Sequence, residues 1–171
     1  MSKTLLEVKD MHVSIHTDSG VVKAVRGVSF ELHEGETLAI VGESGSGKSV
    51  TNKAIMGLLP PGGKIDSGEV ILNGRNIANL PEKELMKIRG AEISMIFQDP
   101  LTSLNPTMTV GKQITEMLLL HKPGMTKEQR RERAIDLLGM VGIPNPGERF
   151  DQYPHQFSGG MRQRVMISIA L

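Results

Sequence analysis

The 171 residues predict an α/β fold built around a phosphate-binding loop, and three observations carry that prediction. Gly42-Glu43-Ser44-Gly45-Ser46-Gly47-Lys48-Ser49 matches the pattern G-x-x-x-x-G-K-[ST]. The run before it, Thr37-Leu38-Ala39-Ile40-Val41, is short, apolar and β-branched, which suits a buried parallel strand. The residues after it, from Lys48 to Met56, lack Gly and Pro and stop at Gly57 and Pro60-Pro61, as a helix does. Strand, glycine loop and helix start therefore stand in order.

Residues of this type at this spacing bind phosphate for a physical reason. Gly42, Gly45 and Gly47 allow a tight turn that points several N–H groups at one anion, and the helix start adds its partial positive charge. Lys48 is expected to reach the β- and γ-phosphates, and Ser49 to hold Mg²⁺ through its hydroxyl. The expected binding residues are Gly42, Ser44, Gly45, Ser46, Gly47, Lys48, Ser49 and Val50. Lys48 and one helix end supply roughly 1.5 positive charges, fewer than the negative charges of a nucleoside triphosphate, so a Mg-nucleotide is the expected ligand. A dinucleotide fingerprint fails, because Gly45 and Gly47 would need a third glycine where Val50 stands.

Composition bounds the rest. The length suits one domain with a sizeable core, and the hydrophobic fraction of 39% with a charged fraction of 23% is that of an ordinary globular protein. A formal net charge of +1, from 20 basic and 19 acidic residues, leaves no electrostatic footprint for nucleic acid. The absence of cysteine excludes disulfides and thiolate metal sites and fits a reducing, cytoplasmic setting. The N-terminus carries acidic residues where a signal peptide needs an apolar core. No apolar run approaches the ~20 residues that span a bilayer, so a membrane role is expected to come through a partner.

Taken in order, residues 5 to 32 read as an antiparallel sheet, with Leu6-Glu7-Val8 and Met11-His12-Val13-Ser14-Ile15 alternating and a turn at Asp18-Ser19-Gly20. His12 and His16 would lie ~13 Å apart on a strand, too far to share a metal. Residues 69 to 72 form a strand ending at Asn73-Gly74, Pro81 opens a short helix with Leu85 and Ile88 on one face, and Gly90 stops it. Ile93-Ser94-Met95-Ile96-Phe97 reads as a further strand. Past Pro100 the pattern turns helical, which places a boundary between a β and phosphate-loop part at 1–99 and a helical subdomain at 100–171. Val110, Ile114, Met117 and Leu118 keep helical spacing. Thr126-Lys127-Glu128-Gln129 has the form of a capping box, opening a helix whose solvated face carries Arg130-Arg131-Glu132-Arg133.

Near the end stands Tyr153-Pro154-His155-Gln156-Phe157-Ser158-Gly159-Gly160-Met161-Arg162-Gln163-Arg164, followed by an apolar stretch to Leu171. Ser158 can cap the helix after it, and Gly159-Gly160 leave backbone N–H groups bare at its start, a second anion site. By itself this is also simply a capped helix with a flexible start.

Phosphate loop, Gln98 in MIFQDP and FSGGMRQRV at 157–165 stand in the order of the phosphate loop, glutamine loop and LSGGQ signature of the ATP-binding cassette (ABC) family, which the whole chain resembles. MIFQDPLTSLNP and YPHQFSGGMRQRV look like the ATPase subunits of oligopeptide and dipeptide importers. The resemblance implies a P-loop NTPase core with an N-terminal antiparallel β subdomain and a helical subdomain. It implies two cassettes head to tail, with Ser158, Gly159 and Gly160 of one copy facing the γ-phosphate held by Lys48 of the other. Gln98 would touch the metal or the attacking water, giving Gln98 and Lys48 catalytic roles and Ser49 and Gln98 metal contacts. Residues near Leu101 to Pro106 would lie beside transmembrane permease subunits, which places the protein on the cytoplasmic face of the cell membrane.

Phe157 and Met161 replace Leu and Gln of the general signature, and Ile15, with His16 beside it, stands where the family offers an aromatic ring to adenine. The family's strand ending in Asp-Glu, its D-loop and its switch histidine follow the signature, and residues 1–171 contain none of them. The core sheet is therefore expected to be incomplete and hydrolysis by these residues alone to be poor. The reading is an ATP-binding subunit of an ABC importer for peptides or similar small solutes. The alternatives are a hydrolysis-deficient nucleotide-binding module and a soluble ABC ATPase acting on nucleic acid.

Overall fold

The computed structural model describes residues 2–99 and 103–171. Pro100, where the sequence places its boundary, and Leu101 and Thr102, at the start of the stretch expected beside the permease, lie outside the described residues. Two compact units form, Met1–Met86 and Lys87–Leu171.

The first unit rests on a long hairpin, β1 (Thr4–Thr17) and β2 (Gly20–His33), joined at Asp18-Ser19 where the sequence calls for a turn. β3 (Gly63–Leu72) pairs antiparallel with β1, and the short β4 (Arg75–Asn76) with β3, giving the order β2-β1-β3-β4. Buried β1 residues change parity along the strand, from Leu6 and Val8 to Met11 and Val13. A bulge makes the change possible: Asp10 takes a φ of 42° between the paired positions Lys9↔Glu69 and His12↔Ser67. Gly68 lies opposite with a φ of 96°, and a Cβ there would run into the carbonyl oxygens of Asp10 and Lys9. α1 (Lys48–Ile55) packs on this sheet through Thr51, Ala54 and Ile55.

The parallel strand expected at 37–41 and the further strand expected at 93–97 are not formed. Val41 is 86% exposed, Leu38, Ile40, Ile96 and Phe97 are also exposed, and the second run contributes only an isolated bridge, Arg89↔Ile93. An apolar run becomes a parallel strand when neighbouring strands take its N–H and C=O groups, and no strand among the described residues pairs with 37–41. α2 (Glu82–Ile88) follows Pro81 with Leu85 and Ile88 buried, as predicted.

The second unit is helical: α3 (Val110–His121), α4 (Lys127–Met140), α5 (Pro146–Arg149), a single 3-10 turn at Pro154–Gln156 and α6 (Gly159–Ala170). Val110, Ile114, Ala134, Leu138, Phe157 and Val165 form its core. The capping box forms, with Thr126 Oγ1 accepting from the Gln129 N–H and Gln129 Oε1 from the Thr126 N–H. Arg131 is more than solvated surface. Its guanidinium lies 4.2 Å from the Phe150 ring centroid and donates to both carboxylate oxygens of Asp151, at 2.8 and 3.3 Å.

Gly68→Ala is expected to cost more than about 1 kcal/mol in a denaturant titration, since the bulge opposite demands both the positive φ and the missing Cβ. A second outcome concerns pH. The Arg131 guanidinium holds the Asp151 carboxyl below its ordinary range. The pair's stabilisation is therefore fully present above the unfolded carboxylate value near pH ~4 and is lost as pH falls through the lower folded value. Asp151→Asn is expected to be less stable than the parent at pH 7, with the difference shrinking at more acid pH in the same titration.

Candidate functional site

The phosphate loop lies between the exposed run at 37–41 and α1. Gly42, Gly45 and Gly47 have φ values of 158°, 82° and 96°, so the last two occupy the left-handed region that glycine adopts without strain. Gly47 is the N-cap of α1. No side chain caps that helix and its first turn carries no acidic residue, which leaves its leading N–H groups and partial positive charge available to an anion. Lys48 Nζ donates to the carbonyl oxygens of Gly42 and Glu43 at 2.7 and 2.6 Å, with Ser46 Oγ at 3.4 Å. The ammonium thus folds back over the loop. Ser44 and Ser49 are exposed, and Val50, the third residue of α1, is half-buried.

The other wall comes from the hairpin. A Cβ on Gly47 would stand 2.6 Å from the Ala24 carbonyl oxygen, so the helix start is seated directly on β2. Between loop and hairpin opens a cleft of 690 Å³, lined by residues 45–51 and by Ile15, Val22, Lys23 and Arg26 among others. Of these hairpin residues the sequence reading singled out only Ile15. The missing signal was present: the turn at Asp18-Ser19-Gly20 fixes the register, and that register pairs Ile15 with Val22.

A cleft of similar size, 710 Å³, lies in the helical unit between α3 and the start of α4. Lys112, Lys127 and Arg131 line it together with Glu116, Glu128 and Asp151. Mixed charge and the lack of a glycine loop suit a polyphosphate poorly. Of the two, the hairpin cleft has the glycine loop and free helix start that suit phosphate.

The signature residues stand together at the start of α6. Ser158 is its N-cap, its Oγ accepting from the Met161 N–H at 3.4 Å, and Gly159 and Gly160 follow, all three exposed and with no acidic residue in the first turn. Phe157, at the signature's first position, is buried in the helical core and so fixes where the helix begins. Arg162 Nε donates to the Pro154 carbonyl at 2.8 Å and ties the helix start to the preceding turn. Gln98 is exposed in an irregular segment. His12 bonds to Asp10 at 3.1 Å while His16 is exposed, and no group of three or more His, Cys, Asp or Glu side chains among the described residues could hold a metal. No helix among the described residues is long and apolar enough to cross a membrane.

A protein-family model described as ABC transporter matches residues 25–171. The chain is 58% identical over 168 residues to the dipeptide transport ATP-binding protein DppD of Bacillus subtilis (strain 168), covering 98% of this chain and 50% of that protein. It is 60% identical over 168 residues to the oligopeptide transport ATP-binding protein OppD of the same organism, covering 98% and 47%. Against the OppD protein of Escherichia coli (strain K12) it is 56% identical over 167 residues, covering 98% and 49%. The chain therefore spans about half the length of these curated relatives. Among solved structures it is similar to the ATP-binding cassette MJ0796 in a dimeric post-hydrolysis state bound to ADP and Pi, with a TM-score of 0.85, 31% identity, and 98% of this chain and 69% of that one covered.

Gly47→Ala is expected to lift the start of α1 off β2, because the positive φ and the Ala24 carbonyl both oppose a Cβ. Hydrogen exchange should then speed up at residues 48–51 while the helical unit keeps its protection.

Proposed function

Because the chain belongs to the ABC transporter family, we propose that it is the nucleotide-binding part of an ATP-driven importer for peptides or similar small solutes. The observation that carries this reading is the uncapped start of α1 with the Lys48 ammonium folded over a glycine loop, a cradle built for the phosphates of a nucleotide. The names of its relatives support the transport half, since proteins it resembles along nearly its whole length are dipeptide and oligopeptide transport ATP-binding proteins.

In this reading the loop N–H groups and Lys48 hold ATP by its phosphates. The residues present fit a Mg-nucleotide: Ser49 is exposed in the first turn beside Lys48, where its hydroxyl would hold the ion against the phosphates. Mg²⁺ would neutralise phosphate charge and orient the γ-phosphoryl group for transfer. Gln98 would contact the metal or the water near it. Ser158, Gly159 and Gly160 offer their helix start to the γ-phosphate bound by a second copy or a sister subunit. A helix N-terminus free of acidic residues can serve an anion brought by another subunit, and the dimeric state of the similar cassette supports such a pairing. ATP then closes the pair, and permease subunits in the membrane receive the motion from the cytoplasmic side. Nucleic acid has no place in this scheme, in keeping with the net charge of +1.

Lys48→Ala tests the reading. Among the described residues its ammonium bonds to the loop alone, so the fold should survive with an unchanged circular dichroism spectrum. Loss of a charge-assisted contact of about 1.5–3 kcal/mol should weaken Mg-ATP binding roughly 10- to 150-fold by calorimetry. Equal affinity in the variant would contradict the assignment.

A further inference from the structure

The cleft between α3 and the start of α4, poorly suited to polyphosphate, has the lining of a different site. Its floor is the buried Phe150 ring, which two neighbours fix in place. A Cβ on Gly111 would stand 2.4 Å from the ring, so glycine at that point of α3 lets Phe150 lie against the helix backbone. The Arg131 guanidinium lies 4.2 Å from the ring centroid and is itself held by Asp151. Met108 and Leu119 extend the apolar surface, Leu119 with 52% of its area exposed. Ionised groups of both signs stand above that floor. Lys112 and Glu116 lie one turn apart on α3, and Lys127 and Glu128 open α4, all of them exposed. Bonds to its own backbone N–H and to the Thr126 side chain hold the Glu128 carboxyl below its ordinary range, so it is ionised at neutral pH.

A polyanion attracted by these lysines is repelled by the glutamates beside them, and an uncharged apolar ligand engages neither. A ligand with one ammonium and one carboxylate on an apolar body meets both signs at once and covers the exposed leucine. The α3 wall from Lys112 to Leu119 is about 10 Å long, which matches about three extended residues at ~3.4 Å each. The volume of 710 Å³ also falls within the roughly 300–1,000 Å³ of small-ligand sites. We propose that this cleft binds short zwitterionic peptides with apolar side chains, the carboxylate facing Lys112 and Lys127 and the ammonium facing Glu116 and Glu128. The site shares no residue with the phosphate-loop cleft and stands whether or not that cleft takes a nucleotide.

The test is an amide NMR titration of the chain, without nucleotide, by trileucine, by N-acetyl-trileucine amide and by inorganic tripolyphosphate. Trileucine is expected to shift Lys112, Glu116, Leu119 and Lys127, and the blocked peptide, which has lost both charges, to bind at least about tenfold more weakly. Lys112→Ala and Glu116→Gln, each verified as folded by circular dichroism, should each weaken trileucine about tenfold and leave the blocked peptide unchanged, a split that structural damage would not produce. Equal affinity for the two peptides would show a groove that ignores charge and would overturn the proposal. Tighter binding of tripolyphosphate than of trileucine at these residues would make the cleft an anion site and overturn it as well. So would the absence of shifts there with trileucine up to about 10 mM.

Discussion

The seating of Gly47 on β2 is the contact on which the rest of the site depends. Only a residue with a positive φ and no Cβ can start α1 this close to the Ala24 carbonyl. That closeness sets the loop against the hairpin and makes one cleft of two separate sequence segments. It also aims the uncapped N–H groups of α1 into the space that Lys48 overlooks. The hairpin owes its own shape to a similar constraint further along, where Gly68 gives way to the Asp10 bulge.

Local signals were legible in the sequence and distant ones were not. The helix after the glycine loop, the turn at Asp18-Ser19, the Thr126 capping box and the Ser158 cap each depend on residues within a few positions of one another, and each forms as read. The parity change between Leu6-Val8 and Met11-Val13 was visible, but its cause was not, because the bulge needs Gly68 on another strand. β3 begins at Gly63, earlier than its apolar residues suggest, since pairing with β1 recruits Gly63 opposite Ile15. Residues 37–41 failed as a strand for the converse reason: their composition suits a buried ladder, and the described residues supply no neighbour to complete it.

Function was legible in the same uneven way. A glycine loop declares its chemistry because backbone N–H groups need only the right φ values to converge on an anion. The hairpin wall of the cleft is less legible: the turn at Asp18-Ser19-Gly20 implies the pairing of Ile15 with Val22, but nothing local shows that Val22, Lys23 and Arg26 meet the loop. The signature is legible for a different reason. Phe157 anchors the start of α6 in the helical core, so the exposed Ser158-Gly159-Gly160 is held in place by packing.

The measurement that tests the account most directly is the amide NMR spectrum of the chain titrated with Mg-ATP. The account predicts that the largest shifts fall on the N–H groups of Gly45, Gly47, Lys48 and Ser49, with Val22 and Lys23 of the hairpin next. Shifts centred on Lys112, Lys127 and Arg131, around the larger cleft of the helical unit, would contradict it.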